Sequence, residues 1–239
     1  MKTIKAGIIG TGFIGPAHIE AVRRLGYVEM VALCEATNDL ARSKAAQLHI
    51  PKSYGNVKAL LADKEVEVIH NCTPNHVHFE ISKQIMAAGK HVISKKPLAM
   101  NTKESKELVK LAAKTGVVYA IDFNYRYYPL VQETKAMVQS GRLGDVYHAN
   151  GSYTQDWLHL ATDWNWRLVP EFSGKSRAVA DVGSHWCDCI QFITGLKIIK
   201  VCANFSTIHK HRMKPKKVVD TYSGKMLKAS DYEAVPINT

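Results

Sequence analysis

The sequence predicts an α/β fold: an N-terminal doubly wound parallel sheet of Rossmann type, followed by an α+β part with a mainly antiparallel sheet. Three observations carry this expectation. From residue 4 to about residue 121, short Val- and Ile-rich runs alternate with longer stretches of 3.6-residue periodicity. A glycine-rich turn, Gly10-Thr11-Gly12-Phe13-Ile14-Gly15, follows the first of those runs. Beyond residue 122 the rhythm gives way to Tyr- and Trp-rich sequence with two-residue alternation.

In order, strands are predicted over 4–9, 28–34, 68–72, 91–94 and 117–121, with helices over 16–25, 38–48, 76–88 and 102–115. Several ends carry their own chemistry. Asn101 or Thr102 is placed to cap the helix that buries Leu108, Leu111 and Ala112, and Gly116 to end it in a left-handed conformation; Gly89 does the same after Ala88. Right-handed crossovers between such strands leave a ligand crevice beyond their C-terminal ends. A boundary is expected near residue 122, giving a first domain over 1–122 and a second over 123–239, where runs 146–153 and 200–206 read as antiparallel strands.

Composition narrows the function classes. Among 239 residues, 46% are hydrophobic and 22% charged, enough apolar sequence for a packed core. No apolar run approaches the roughly 20 residues that cross a bilayer. The glycine-punctuated start is unlike a signal peptide, so a cytoplasmic protein with no membrane partner is expected. Five scattered cysteines then imply reduced thiols. The net charge is +11, and residues 197–239 hold nine Lys or Arg against three acids. The basic run around Lys214 has no interleaved aromatics or zinc-finger spacing, so it reads as a solvated loop or an anion-steering rim and not a nucleic-acid surface.

The glycine motif has the context a dinucleotide fingerprint requires: a strand before it, a helix after it, and an acid, Glu35, about 20 residues on. Gly10 permits the tight turn, Gly12 lets backbone approach a pyrophosphate, and Gly15 allows close helix packing, with Phe13 and Ile14 completing the loop. Glu35 suits a ribose 2′-hydroxyl and opposes a 2′-phosphate, which favours NAD over NADP. Arg42 and Lys44 downstream keep NADP open. The stretch Ser173-Gly174-Lys175-Ser176 is similar to the end of a P-loop but lacks its earlier glycine, since Val169 stands there.

Lys95-Lys96-Pro97 follows the fourth strand, at the sheet edge where the reactive end of a cofactor would lie. Asp181, His185 and Asp188 are spaced to share one polar face of a helix, apt for acid-base chemistry. An N-cap role for Asp181 and a buried, hydrogen-bonded role for His185 explain the same residues equally well. A metal site is disfavoured, because no Cys-x-x-Cys or His-Glu-x-x-His occurs and Cys187 and Cys189 point apart on a helix.

Four motifs in order carry a family resemblance: the turn at Gly10 to Gly15; Thr73-Pro74-Asn75 with His78; Ala88-Gly89-Lys90-His91-Val92 leading to Lys96-Pro97; and Asp181-x-Gly-x-His185-x-x-Asp188. Together they resemble the Gfo/Idh/MocA oxidoreductase family over residues 4 to about 206. The resemblance implies hydride transfer between NAD(P) and a sugar, inositol or related polyol. It implies Lys96 at the reacting hydroxyl and the cofactor, His185 as the acid-base group and Asp181 as its orienting carboxylate. It further implies Thr73, Asn75 and His76 beside the nicotinamide, Asn124, Tyr125, Arg126 and Trp166 in the substrate pocket, and a homo-oligomer, dimer or tetramer, formed through the second-domain sheet.

The chain departs from the family pattern in three places. Lys95 replaces the acid that usually precedes the lysine, and Ser173 to Ser176 replace the glycine-rich stretch before Asp181. Family members also continue the second sheet, whereas nothing after Ser206 reads as completing it, so a truncated chain is expected. These departures admit an alternative of another class, a non-catalytic NAD(P)- or sugar-sensing regulator or partner subunit of the same fold.

Overall fold

The computed structural model describes residues 2–217 and 227–237, and the chain divides into two compact units, Met1–Asp122 and Phe123–Thr239. The first contains strands β1 (Ile4–Ile9), β2 (Val28–Cys34), β3 (Lys52–Tyr54), β4 (Val68–Asn71), β5 (His91–Lys95) and β6 (Tyr119–Asp122). Between them run helices α1 (Gly15–Leu25), α2 (Asn38–Leu48), α3 (Val57–Ala62), α4 (His78–Ala87) and α5 (Thr102–Thr115). All strand pairs are parallel and the order is β3-β2-β1-β4-β5-β6. The order reverses direction between β1 and β4, and the crevice of such a sheet opens there.

Adjacent strand residues point to opposite faces, and the core follows that rule. Ile8, Leu33 and Val68 pack with Ile19 and Val22 of α1 and Ala41 and Ala45 of α2. Their neighbours Ile9, Cys34 and Ile69 pack with Leu60 of α3, Ile85 and Met86 of α4 and Leu108 of α5. Both faces are therefore covered, which explains why the strands read as continuous apolar runs.

Helix ends follow local chemistry. Thr37, Asn56 and Asn101 accept the N–H groups that open α2, α3 and α5, and Gly116 closes α5 at φ +70°. The helix expected over 76–88 is split: Asn75–Val77 form a 3₁₀ turn after Pro74, and α4 starts at His78. Lys90, a buried cation, donates from Nζ to the Asp63 and Val66 carbonyls at 2.8 and 2.6 Å, and burial lowers its pKa.

The second unit holds α6 (Pro129–Gln139), the short α7 (Pro170–Ser173), a π turn at Val179–Gly183 running into α8 (Ser184–Thr194), and the antiparallel pair β7 (His211–Pro215) and β8 (Tyr232–Pro236). The antiparallel component is this two-stranded sheet, formed outside the runs expected to supply it. Residues 146–153 and 200–206 carry no strand, and Tyr147, Ile199 and Val201 are exposed. Alternation fixes which side chains share a face, but a strand also needs a neighbour for its N–H and C=O groups. No described helix is long and apolar enough to cross a membrane.

Candidate active site

In the first unit the glycine turn separates into three tasks. Gly10 turns the chain at φ +86°, where a Cβ would stand 3.0 Å from the Cys72 carbonyl oxygen. At Gly15, the first residue of α1, a Cβ would come within 2.6 Å of the Gly10 carbonyl oxygen. Gly12 has nothing within 4 Å of that position. Internal packing thus demands two glycines, and the third leaves the backbone open to an approaching group. Ile14 precedes α1 without a side-chain cap and Pro16 lies in its first turn, so the leading N–H groups have no side-chain acceptor. An uncapped start of this kind suits a phosphate. Phe13, beside Gly12, is exposed.

Glu35 directly follows β2, and its Oε1 accepts from the Thr11 backbone N–H at 2.6 Å and the Thr11 hydroxyl at 2.5 Å. Sequence reasoning singled out Glu35 but missed Thr11, a buried hydroxyl between the first two glycines. The second carboxylate oxygen has no hydrogen-bond partner among the described residues.

Across the crevice, the chain leaving β4 is held by side chains. Thr73 Oγ1 donates to Asn71 Oδ1 at 2.7 Å, and Asn71 Nδ2 donates to Ser82 Oγ at 3.2 Å. Buried Asn75 begins the 3₁₀ turn and accepts from Lys95 Nζ at 3.5 Å, while His76 on the same turn is exposed. His78 sets one ring nitrogen 2.7 Å from the Thr73 carbonyl and the other 2.8 Å from the Pro97 carbonyl, tying this segment to the one that carries Lys96. Burial, assisted by the Lys95 charge, lowers the His78 pKa to about 4. The neutral ring donates to one of those carbonyls at a time. Lys96 is half-buried and precedes a cis bond to Pro97.

A polar cluster that sequence reasoning did not find lies between α1 and the sheet. His18 and His70, both buried, approach Nδ1 to Nδ1 at 3.0 Å, and His18 Nε2 stands 3.2 Å from Asp122 Oδ2. That second approach is off the line of a good hydrogen bond, so its attraction is chiefly ionic. Burial lowers the His18 pKa, but Asp122 and Cys72 outweigh it and raise the value to about 10. Burial, with the charge of His18, lowers His70 to about 4.

In the second unit the residues of the expected polar face have three different settings, because the π turn precedes α8 and alters the spacing after Asp181. His185 is buried in an aromatic box. The Tyr125 ring stacks on it at 4.2 Å between centroids, Phe123 meets it edge-on at 5.8 Å, and Tyr153 lies 6.2 Å away. The hydroxyls of Tyr125 and Tyr153 stand 2.5 Å apart, and burial together with that contact raises the Tyr125 pKa.

Asp181 Oδ1 accepts from Arg167 Nε at 3.2 Å. The Arg167 guanidinium carbon lies 4.6 Å from the Trp166 ring centre and 5.1 Å from that of Trp157, within cation–π range of both. Buried Asp188 accepts from Arg126 Nε at 2.7 Å and from Arg126 Nη2, a two-point bond that raises the arginine's pKa. Of the expected pocket residues, Tyr125 therefore reaches His185, Trp166 stands beside Arg167, Arg126 is engaged by Asp188, and Asn124 is exposed. Arg167 and Tyr153 were missed. Their partners lie 14 and 28 residues away in sequence, beyond any local pattern. Among the described residues no group of three His, Cys, Asp or Glu side chains is placed to hold a metal ion.

Comparison with known proteins agrees across both units. Residues 4–123 match the family described as an oxidoreductase family with NAD-binding Rossmann fold, and residues 131–231 match the GFO/IDH/MocA C-terminal domain. Levoglucosan dehydrogenase of Pseudarthrobacter phenanthrenivorans is 31% identical over 204 residues, covering 82% of this chain and 52% of that protein. D-glucoside 3-dehydrogenase of Escherichia coli is 26% identical, covering 82% of this chain and 56% of that protein. A solved levoglucosan dehydrogenase in complex with NADH and L-sorbose superposes with a TM-score of 0.78 at 29% identity, over 82% of this chain and 54% of that one. The chain spans about half the length of these relatives. With a family model matched over half its residues and a second over most of the remainder, the chain belongs to the Gfo/Idh/MocA oxidoreductase family.

Proposed function

We propose that this chain forms the cofactor-binding and acid-base parts of an oxidoreductase that moves a hydride between NAD and a sugar, inositol or related polyol. The observation that carries the reading is the glycine turn: an open backbone at Gly12, flanked by two glycines that packing requires, leads into an uncapped helix start. These residues fit a dinucleotide pyrophosphate. Glu35 Oε2 takes a ribose hydroxyl, which favours NAD, and NADP is the weaker ligand. Thr73, Asn75 and His76 line the nicotinamide side.

Bound there, the nicotinamide supplies the hydride acceptor. The chain's own residues handle the substrate and its proton. Lys96 holds the reacting hydroxyl, His185 takes its proton, and Asp181 orients the substrate and the histidine. Tyr125 fixes the plane of the His185 ring, and its stack resembles the packing support that acid-base groups need. Asn124 and Trp166 contribute to the pocket wall, and Arg126 contributes through its bond to Asp188. The sugar-dehydrogenase relatives support this substrate class. We place the protein in the cytoplasm as a homo-oligomer assembled through the second unit.

A fluorescence titration with NADH, followed by a screen of sugars and inositols for growth of reduced-nicotinamide absorbance, tests the reading. Saturable NADH binding and turnover of at least one polyol are expected. Binding without turnover of any member would replace the enzyme with a sensor of the same fold.

A further inference from the structure

We propose that His18 and His70 are positioning residues for the nucleotide: the bond between their rings seats the first turn of α1 against β4 and so fixes the N–H groups that meet the pyrophosphate. The assignment rests on the cofactor reading of the glycine turn above. Its starting point is where the two rings lie. His18 is the fourth residue of α1, and its backbone N–H donates to the Ile14 carbonyl at 3.2 Å, closing the turn that follows Gly12. The buried residues of α1 are Gly15, His18, Ile19 and Val22, so His18 is the first of them with a side chain. His70 lies on β4, paired with Ile8 of the strand that leads into the glycine turn. The contact therefore joins the helix after the turn to the strand across the crevice.

The contact has one chemical requirement. The ring planes stand at 87° with centres 5.3 Å apart, so the two meet through nitrogen and not by stacking. Two ring nitrogens at 3.0 Å are held together by one proton, with one donating and the other presenting a lone pair. Asp122, at the end of β6, decides which. Its Oδ2 stands 3.2 Å from His18 Nε2 and favours a proton there, and the resulting cation donates from Nδ1 to a neutral His70. Cys72, on the segment leaving β4, also faces His18. Burial and the His18 charge keep a second proton off His70, whose pKa is about 4.

Without its acceptor, His18 Nδ1 would be a buried donor left unpaired, and the first turn of α1 would satisfy it only by shifting toward water. The nucleotide would then bind only the fraction of molecules whose turn is seated, and its apparent affinity would fall by that fraction. Ile19 and Val22 pack with Ile8 and Leu33 without either histidine, so the later part of the helix stays in place when the first turn moves. Adenosine, which the cofactor reading sets beside Glu35 and not on α1, would be spared.

The test is displacement of NADH from the full chain by ADP-ribose and by adenosine at neutral pH, read by fluorescence for wild type, His70→Asn and His70→Leu. Asparagine and leucine share one branched outline, and only asparagine offers a polar atom where Nδ1 stood. His70→Leu is expected to weaken ADP-ribose by about 10-fold and adenosine by less than about twofold, while His70→Asn stays within about threefold of wild type for both. A second measurement needs no variant, so it stands even where His70→Leu fails to fold. By NMR, hydrogen exchange at the His18 amide of the wild type should be slow before nucleotide is added and change by less than about threefold with ADP-ribose. Undiminished affinity or equal losses of both ligands in His70→Leu, no rescue by asparagine, or a His18 amide protected only on binding would overturn the proposal. Wild type that binds neither NADH nor ADP-ribose would instead overturn the cofactor reading, and this assignment with it.

Discussion

His18 and His70 meet nitrogen to nitrogen at 3.0 Å inside the first unit, one ring held as a cation by Asp122 and the other kept neutral by burial. Their protonation gives stability opposite trends on the two sides of the ordinary histidine value of 6.5. The raised His18 pKa stabilises the fold fully below that value, and its contribution is lost as pH climbs toward about 10. His70 and His78, both lowered to about 4, stay neutral while the unfolded chain takes up protons, so stability also falls as pH drops from 6.5 toward 4. Urea unfolding across pH should show a maximum near the crossover, each proton contributing a slope of at most about 1.4 kcal/mol per pH unit. In His18→Gln the alkaline decline should flatten; an unchanged slope there would contradict the assigned charge.

The three glycines of the turn should separate experimentally. Gly12→Val adds bulk where nothing lies nearby, so thermal unfolding should shift little while NADH affinity falls by about 10-fold or more. Gly15→Ala places a methyl 2.6 Å from a backbone oxygen and should cost about 1–3 kcal/mol in stability as well. Parallel melting curves and fluorescence titrations distinguish the two, and equal destabilisation by both variants would refute the division of tasks.

In the proposed cofactor mode the Glu35 charge opposes a 2′-phosphate, and Glu35→Gln removes it. The ratio of NADPH to NADH affinity should rise by about 10-fold, read by competitive titration of the two reduced cofactors. A ratio that stays put would show that Glu35 does not face the ribose.

Lys90→Met keeps the aliphatic stem and removes the ammonium from the Asp63 and Val66 carbonyls. Losing charged hydrogen bonds in a buried setting should destabilise by about 1–3 kcal/mol, with cofactor affinity unchanged in whatever fraction remains folded. Chemical denaturation measures the first quantity and titration the second.

His185→Ala should reduce turnover of an active polyol by about 10² or more while NADH still binds, since the imidazole is assigned to proton transfer and not to cofactor contact. Steady-state rates at saturating substrate provide the check, and near-wild-type turnover would remove His185 from the chemistry.

What could be read in advance follows from the range of the forces involved. Asn101 and Gly116 mark the ends of α5 because a cap and a left-handed residue are local devices. β3 and α3, at three and six residues, are too short to establish a period and escape a reading by pattern. Runs 146–153 and 200–206 have strand-like alternation without strand pairing, a condition no single segment reveals about itself. The glycines were legible because each answers a backbone constraint. The Thr11–Glu35, Arg167–Asp181 and His18–His70 contacts join residues 24, 14 and 52 positions apart and exist only once the chain has folded.

The bond from Thr11 makes the Glu35 carboxylate a strut for the glycine turn, in addition to the reading role proposed for it. If Glu35 reads the ribose as proposed, the same side chain also braces the glycine turn, so the loop is already shaped by protein atoms and its ordering need not be drawn from the binding energy of the nucleotide. A lineage exchanging Glu35 for a basic residue, to welcome an extra phosphate, would loosen that brace in the same step and would need a new support for Thr11.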